Sequence, residues 1–305
     1  HSTWGRRYTA RMQKDVIHIL GAGSIGLLLA MRLSAHQEVR LIRRPGQAPS
    51  RPSYRLTEGE GCRTQALLSI APEDVQQVRK LIVCTKAYDA LAALRALKAL
   101  RGDAHVLRMQ NGMGSQEEVA ANIPSLSLHA ASSTEGAYRR GSLEVVHAGR
   151  GLTYIGKLSG QDHPWAATFT TAGLEAEAVP DIKRYLFDKL RVNALINPLT
   201  ALYRCRNGEL LTHAEAYPRM QALGQETDAI LEAAGYRFST PALAAAEAVA
   251  RRTAANYSSM YQDAQAGRRL EIDYINVYLV RLAERLGRKA AAHRRICEDL
   301  RAFIR

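Results

Sequence analysis

The chain has 305 residues and a formal net charge of +13, a length that suits one large domain or two ordinary ones around a buried core. Hydrophobic residues make up 47% and charged ones 23%, which excludes a disordered chain. No uncharged apolar run approaches the roughly 20 residues of a membrane span. The four cysteines, Cys62, Cys84, Cys205 and Cys297, form neither a disulfide framework nor a CxxC pair.

Residues 1–11 (HSTWGRRYTAR) lack the apolar stretch of a signal peptide and are set aside as a tag-derived or disordered leader, with patterned sequence starting at Met12. A reducing cytoplasm is the simplest compartment for this cysteine usage. The basic excess is mostly arginine, spread along the chain and densest over 281–305 at helical spacing. With no aromatic-interleaved basic stripe, it reads as a solvated helix face rather than a nucleic-acid or membrane surface.

From Asp15 the segments DVIHIL, GAGSIG, LLLAMRLSAH and EVRLIRR predict a strand, a glycine turn, an amphipathic helix and a second strand. A turn at Glu58-Gly59-Glu60-Gly61 follows, then a strand KLIVCTK, a helix over 89–100 and a strand HVLRM ending at Gln110-Asn111-Gly112. Alternation of this kind predicts a Rossmann-type, doubly wound, mostly parallel sheet in an α/β domain over 12–180. Beyond about residue 180 the period becomes 3.6, with helices expected over 183–202, 217–234, 241–255, 271–286 and 294–304. That half, 181–305, is expected to be an all-helical domain carrying substrate and catalytic groups. The alanine-rich helix over 244–255 could form a homodimer seam or only the intramolecular core.

In the glycine turn, Gly21 makes the bend, Gly23 lets the backbone approach a pyrophosphate, and Gly26 allows close helix–strand packing. With Ala22, Ser24 and Ile25 they make a dinucleotide-binding loop at a helix N-terminus, where N–H donors and partial positive charge suit phosphate. The second strand ends in Arg43-Arg44, with no acidic residue until Glu58. Two guanidinium groups suit a 2′-phosphate, so the expected cofactor is NADP(H). One of the pair, Arg43 rather than Arg44, could simply face solvent.

In the helical half Lys189, Asn193 and Asn197 recur at i, i+4 and i+8 on a helix otherwise filled with Leu, Val, Ile and Ala. One lysine and two amides in a row fit either a surface stripe with an exposed lysine or a cleft wall that donates hydrogen bonds to a polar ligand, because burying them unpaired is costly. Pro198 is expected to kink or end that helix. A second polar set, Asn256-Tyr257-Ser258-Ser259, then Gln262-Asp263, then Glu271-Ile272-Asp273, offers donors for a carboxylate or hydroxyl. Glu271 is expected to begin a helix, where the dipole favours negative charge. The histidines show no metal-ligand spacing, and no metal is expected.

These segments together resemble the ketopantoate reductase family. The resemblance rests on GAGSIG, VCTKAYD, NGMG at Asn111 to Gly114, KLRVNALINPLTALYRCRNGEL from Lys189, YSSMYQD from Tyr257 and EIDYIN from Glu271. It implies reduction of 2-dehydropantoate to pantoate by NADPH in pantothenate and coenzyme A synthesis, with Lys189 as proton donor. By the same resemblance Lys86, Asn111 and Ala137 contact the cofactor, with Asn111 also reaching substrate. Asn193, Asn197, Asn207, Asn256, Ser258 and Ser259 face the substrate, and Glu271 matches a glutamate where nicotinamide and substrate meet. The chain departs from the family at Glu135, where histidine is common, and at Leu270, Val277, Ala291 and His293. Those departures bear on which 2-oxo acid is taken more than on the chemistry. Two alternatives are a same-fold reductase of a different 2-oxo acid and a non-catalytic NADP(H)-binding sensor. Burial would lower the Lys189 pKa and a nearby Glu271 would raise it; the sequence leaves the balance open.

Overall fold

The structure, a computed structural model, describes residues 16–303, so the 1–11 leader and the expected domain start at Met12 lie outside the described residues. The chain forms two compact units. One runs through Gln110 and takes in Ser115–Ile182; the other consists of Asn111–Gly114 and the chain from Lys183 onward.

The first unit contains, in chain order, β1 (Ile17–Leu20), α1 (Ser24–Leu33), β2 (Val39–Ile42), β3 (Ser53–Glu58), β4 (Gly61–Ala66), β5 (Leu68–Ile70) and β6 (Val78–Val83). It continues with α2 (Ala90–Ala96), β7 (Leu100–Arg108), α3 (Ser115–Asn122), β8 (Ser127–Ser133), β9 (Gly136–Arg139), β10 (Glu144–Gly149), β11 (Leu152–Ser159), α4 (Trp165–Thr171) and β12 (Glu175–Ala178). Eight strands form one sheet in the order β12-β11-β8-β7-β6-β1-β2-β5. Every neighbouring pair is parallel except β8 with β11. Alternation along the strands sends Ile17, Ile19, Ile82 and Leu107 to one face, against α1 and the fully buried Trp165 and Phe169 of α4. Leu20, Leu81, Val83 and Val106 go to the other, with Leu94 of α2 and Val119 of α3. Apolar layers on both faces account for the near-continuous hydrophobic strands.

The helix expected over 89–100 is shorter, because Leu97 leaves helical geometry and Leu100 already begins β7. A second sheet, β4-β3-β10-β9, was not foreseen. Its β4 is exposed at all six positions, so no apolar alternation marks it. This sheet also accounts for Glu135. Its carboxylate meets Nε2 of the buried His147 on β10, whose Nδ1 lies 3.1 Å from Glu58. Glu58 in turn accepts from Arg32 of α1 at 2.6 Å.

The second unit contains α5 (Ile182–Tyr203, its first residue assigned to the other unit), α6 (Ala216–Ala233), α7 (Ala242–Arg252), α8 (Ser259–Gln265), α9 (Asn276–Arg285) and α10 (Ala291–Phe303). On α7 the buried positions Ala242, Ala246 and Ala250 form an i, i+4, i+8 stripe covered within the chain itself. That stripe therefore belongs to the intramolecular core. Pro198 does not end α5, which continues to Tyr203. The expected 271–286 helix is broken: Glu271–Tyr274 is a 3-10 turn, and Ile275, at φ −115° and ψ −87°, separates it from α9. The Tyr274 carbonyl accepts from the Met113 amide at 2.8 Å instead of serving a helical ladder. Among the described residues no helix is long and apolar enough to cross a membrane.

Candidate active site

In the first unit, the loop between β1 and α1 has geometry that only glycine satisfies at two of its positions. Gly21 sits at φ +103°, and a Cβ on Gly26 would stand 1.9 Å from the Gly21 carbonyl oxygen. Gly23, by contrast, faces open space, with nothing within 4 Å of an added Cβ. It caps α1 without a side chain, and the first turn of α1 holds no acidic residue. The helix N-terminus thus presents backbone N–H donors with no carboxylate competing for them, which suits a pyrophosphate. Ala22, Ser24 and Ile25 complete this loop. Arg139 of β9, not singled out from the sequence, donates to the Ala22 carbonyl at 2.9 Å and also holds the Gly141 carbonyl. No local pattern in the sequence points to this contact, which spans 117 positions.

The arginine pair divides its work differently from the sequence expectation. Arg43 is half-buried and its guanidinium holds the following loop, donating to Ala48 O at 3.2 Å and Ser50 Oγ at 2.8 Å. Arg44 is the exposed member at the strand end. Lys86 is half-buried after β6, and Ala137 lies half-buried on β9.

In the second unit a narrow hollow is lined by Asn111, Asn197, Ser259, Met260, Asp263, Glu271 and Ile275. Several features bring these residues together. Asn197 is carried by α5, below Asn193 and Lys189 on the same face, both half-buried. Ser259 opens α8, and Glu271 opens the 3-10 turn and is buried. Asn111 is anchored by its neighbours: Gly112 has φ +79°, and a Cβ there would stand 2.3 Å from the Tyr274 carbonyl oxygen. That contact and the Met113 amide bond bind the NGMG loop to the Glu271 turn.

Lys189 and Glu271 are electrostatically coupled. Burial lowers the Lys189 ammonium from 10.5 to about 8, while the Glu271 charge pulls it back up. Desolvation wins the balance that the sequence left open. A lysine titrating near neutrality can deliver a proton far more readily than an exposed one.

Five expected substrate residues do not line the hollow: Lys189 and Asn193, further along the same face of α5, and Ser258, Asn207 and Asn256. Ser258 is committed elsewhere: its Oγ accepts from the Tyr261 amide at 3.0 Å, capping α8, and pairs with Thr200 Oγ1 at 2.7 Å. Asn207 is buried, with Nδ2 donating to Thr253 Oγ1 at 2.9 Å and its amide to Asn256 O. Asn256 is exposed. Asp263, noted in the sequence but given no role, does line the hollow and accepts from Arg268 Nε at 2.8 Å. Leu270 is buried and Val277 half-buried, and neither lines it. Among the described residues no group of three or more His, Cys, Asp or Glu could hold a metal ion.

Residues 17–160 match the family described as ketopantoate reductase PanE/ApbA, and residues 181–303 match ketopantoate reductase PanE/ApbA C terminal. The 2-dehydropantoate 2-reductase of Yersinia pestis is 34% identical over 288 residues, covering 92% of this chain and 93% of that protein. Among solved structures, a PanE/ApbA family ketopantoate reductase from Ralstonia eutropha JMP134 is 28% identical with a TM-score of 0.83, covering 95% of this chain and 98% of that one. A D-mandelate dehydrogenase bound to NADH and anilino(oxo)acetate shares the fold, with a TM-score of 0.85 at 22% identity over 95% of this chain and 98% of that one. With such relatives, this chain is an NADP-dependent oxidoreductase acting on CH–OH groups. It belongs to the ketopantoate reductase family.

Proposed function

We propose that the chain reduces 2-dehydropantoate to pantoate with NADPH, in the cytoplasm, as a step of pantothenate synthesis. The observation that carries this reading is Lys189: a half-buried ammonium lowered to about 8, coupled to a buried Glu271, at the head of a stripe of amide donors. When bound, the nicotinamide supplies a hydride to the keto carbon. The charge developing on the former carbonyl oxygen is met by the Lys189 ammonium, which stabilises it and gives up its proton to form the hydroxyl. Lys189 then recovers a proton from solvent. Glu271 keeps enough positive charge on Lys189 for this at neutral pH, because without it burial alone would push the amine further towards its neutral form.

Ser259 takes the substrate carboxylate, and the side-chain N–H groups of Asn193, Asn197 and Asn111 donate hydrogen bonds to the substrate's oxygens. Ser258 contributes by holding the start of α8, and with it Ser259, against Thr200 of α5. Asn207 and Asn256 brace the chain that leads into that helix. The glycine loop holds the pyrophosphate of the cofactor, and Arg44, with its guanidinium exposed, takes the 2′-phosphate while Arg43 shapes the loop beside it. Lys86 and Ala137 border the same cofactor. The test is NADPH consumption with purified protein and a panel of 2-oxo acids. A clear preference for 2-dehydropantoate supports the reading, and a stronger preference for another acid overturns the substrate assignment.

A further inference from the structure

A proline inside a helix withholds the N–H that the carbonyl four residues earlier would accept. Pro198, the residue after Asn197, therefore leaves the Ala194 carbonyl without its helical donor. The helix nevertheless runs through unbroken to Tyr203. The missing donor comes from a distant side chain: Asn276 Nδ2 reaches Ala194 O at 2.9 Å.

The orientation of that amide follows from its neighbours. Thr227 Oγ1 donates to Leu223 O at 2.7 Å, so toward His293 Nε2, 3.0 Å away, it can only accept. His293 therefore carries its proton on Nε2 and leaves Nδ1 bare. Burial holds this imidazole neutral, with its pKa lowered from 6.5 to about 3. The bare Nδ1 accepts the second hydrogen of Asn276 Nδ2 at 3.1 Å. Both partners of that NH2 group are acceptors, so the amide has one orientation. Asn276 and His293 are fully buried, as is Thr227. The Glu226 carboxylate fixes the start of α10 by accepting from the Ala292 and His293 amides at 3.0 and 3.1 Å.

We infer that Asn276 is a positioning residue for the reductase site: by replacing the donor that Pro198 lacks, it fixes the Asn197 turn of α5 against the turn that carries Glu271. Only Ile275 separates Asn276 from that turn, and the bond Asn276 makes to Ala194 spans 82 positions. Asn197 and Glu271 both line the hollow. Asn276 itself does not, so it acts through the placement of others. The inference rests on the reading of the hollow as the substrate site.

A double-mutant cycle with Pro198→Ala tests it, because alanine restores a backbone N–H to Ala194 O and makes the Asn276 donor redundant. Asn276→Leu is expected to lower kcat/KM for 2-dehydropantoate at least tenfold. NADPH affinity, followed by fluorescence independently of turnover, should stay within about twofold. Pro198→Ala alone should stay within about threefold of the parent, and the double variant should recover most of the loss. His293→Asn, whose side-chain oxygen can accept from Asn276, should keep activity, whereas His293→Leu should not. If Asn276→Leu does not fold, Asn276→Ser serves in the same cycle, since its hydroxyl is too short to reach Ala194.

Urea unfolding of the four proteins reads the same coupling without substrate. Losses that simply multiply in the double variant, in both assays, overturn the inference. Coupling in unfolding with unchanged kcat/KM overturns it as well, leaving only a structural pin. If the parent fails on 2-dehydropantoate but turns over another 2-oxo acid, the substrate reading falls and the cycle is run on that acid. No turnover with any 2-oxo acid overturns both.

Discussion

Replacing Glu271 by glutamine removes one negative charge beside Lys189 while nearly keeping the side chain's shape. Burial draws the lysine down from 10.5 to about 8, and Glu271 is what opposes that fall. An opposite charge at close range typically moves a pKa by about 1–3; at the lower part of that range, about 1–2 for the half-buried Lys189, loss of Glu271 should leave it titrating at roughly 6–7. For a group titrating at about 8, the ammonium is about nine-tenths of the population at pH 7; at roughly 6–7 it is half or less. Reduction needs the ammonium as acid, so the rate is level on the acid side of this pKa and falls on the alkaline side. The assay is kcat for NADPH oxidation from pH 5.5 to 9.5 (~, spanning both values). The parent should lose activity through about 8. Glu271→Gln should lose it about 1–2 pH units earlier. An alkaline limb that stays in place, or moves upward, would refute the coupling of the two residues.

Lys189→Ala should lower kcat by about 10²–10⁴ while NADPH still binds, as expected for loss of a proton donor; equilibrium binding beside steady-state rates checks both halves. Gly23→Ala should leave the unfolding midpoint near that of the parent, because an added Cβ meets nothing within 4 Å, yet weaken NADPH binding by roughly tenfold, about 1.4 kcal/mol. Gly26→Ala, with its Cβ 1.9 Å from the Gly21 oxygen, should cost stability as well, about 1–3 kcal/mol or more; urea unfolding separates the two glycines. His18 and His293 are held neutral by burial, their pKa values lowered from 6.5 to about 4 and about 3. The unfolded chain takes up these protons below 6.5 and the fold does not, so their stabilisation is complete above 6.5 and is lost as pH falls toward 4. Between pH 7.5 and 5 the loss should be roughly 1–2 kcal/mol for each. His18→Val should flatten that slope in urea titrations and raise stability, since neither ring nitrogen of His18 has a hydrogen-bond partner in the fold.

What could be read from the sequence was what the backbone or a local period demands. Gly21 and Gly26 are legible because their positions admit little else. The Lys189, Asn193, Asn197 stripe is legible because a helix repeats every 3.6 residues. The unforeseen parts depend on contacts between distant segments. Pro198 read as a helix end because the donor that replaces its N–H comes from Asn276, 82 positions from Ala194. The helix drawn from Glu271 breaks because Tyr274 turns its carbonyl to Met113, in a loop that follows β7. Ser258 looked like part of a hydroxyl set, but its partner, Thr200, lies 58 positions away on another helix. The small sheet escaped notice because β4 buries none of its side chains.

The most direct measurement of the central claim follows NADPH absorbance for the parent and Lys189→Ala with 2-dehydropantoate, beside pyruvate, 2-oxoisovalerate and phenylglyoxylate, and repeats the best substrate with NADH. The expected result is saturable turnover with 2-dehydropantoate above the other acids, NADPH preferred over NADH, and loss of that turnover in Lys189→Ala. A parent that favours another acid, or a Lys189→Ala variant that keeps full turnover, would contradict it.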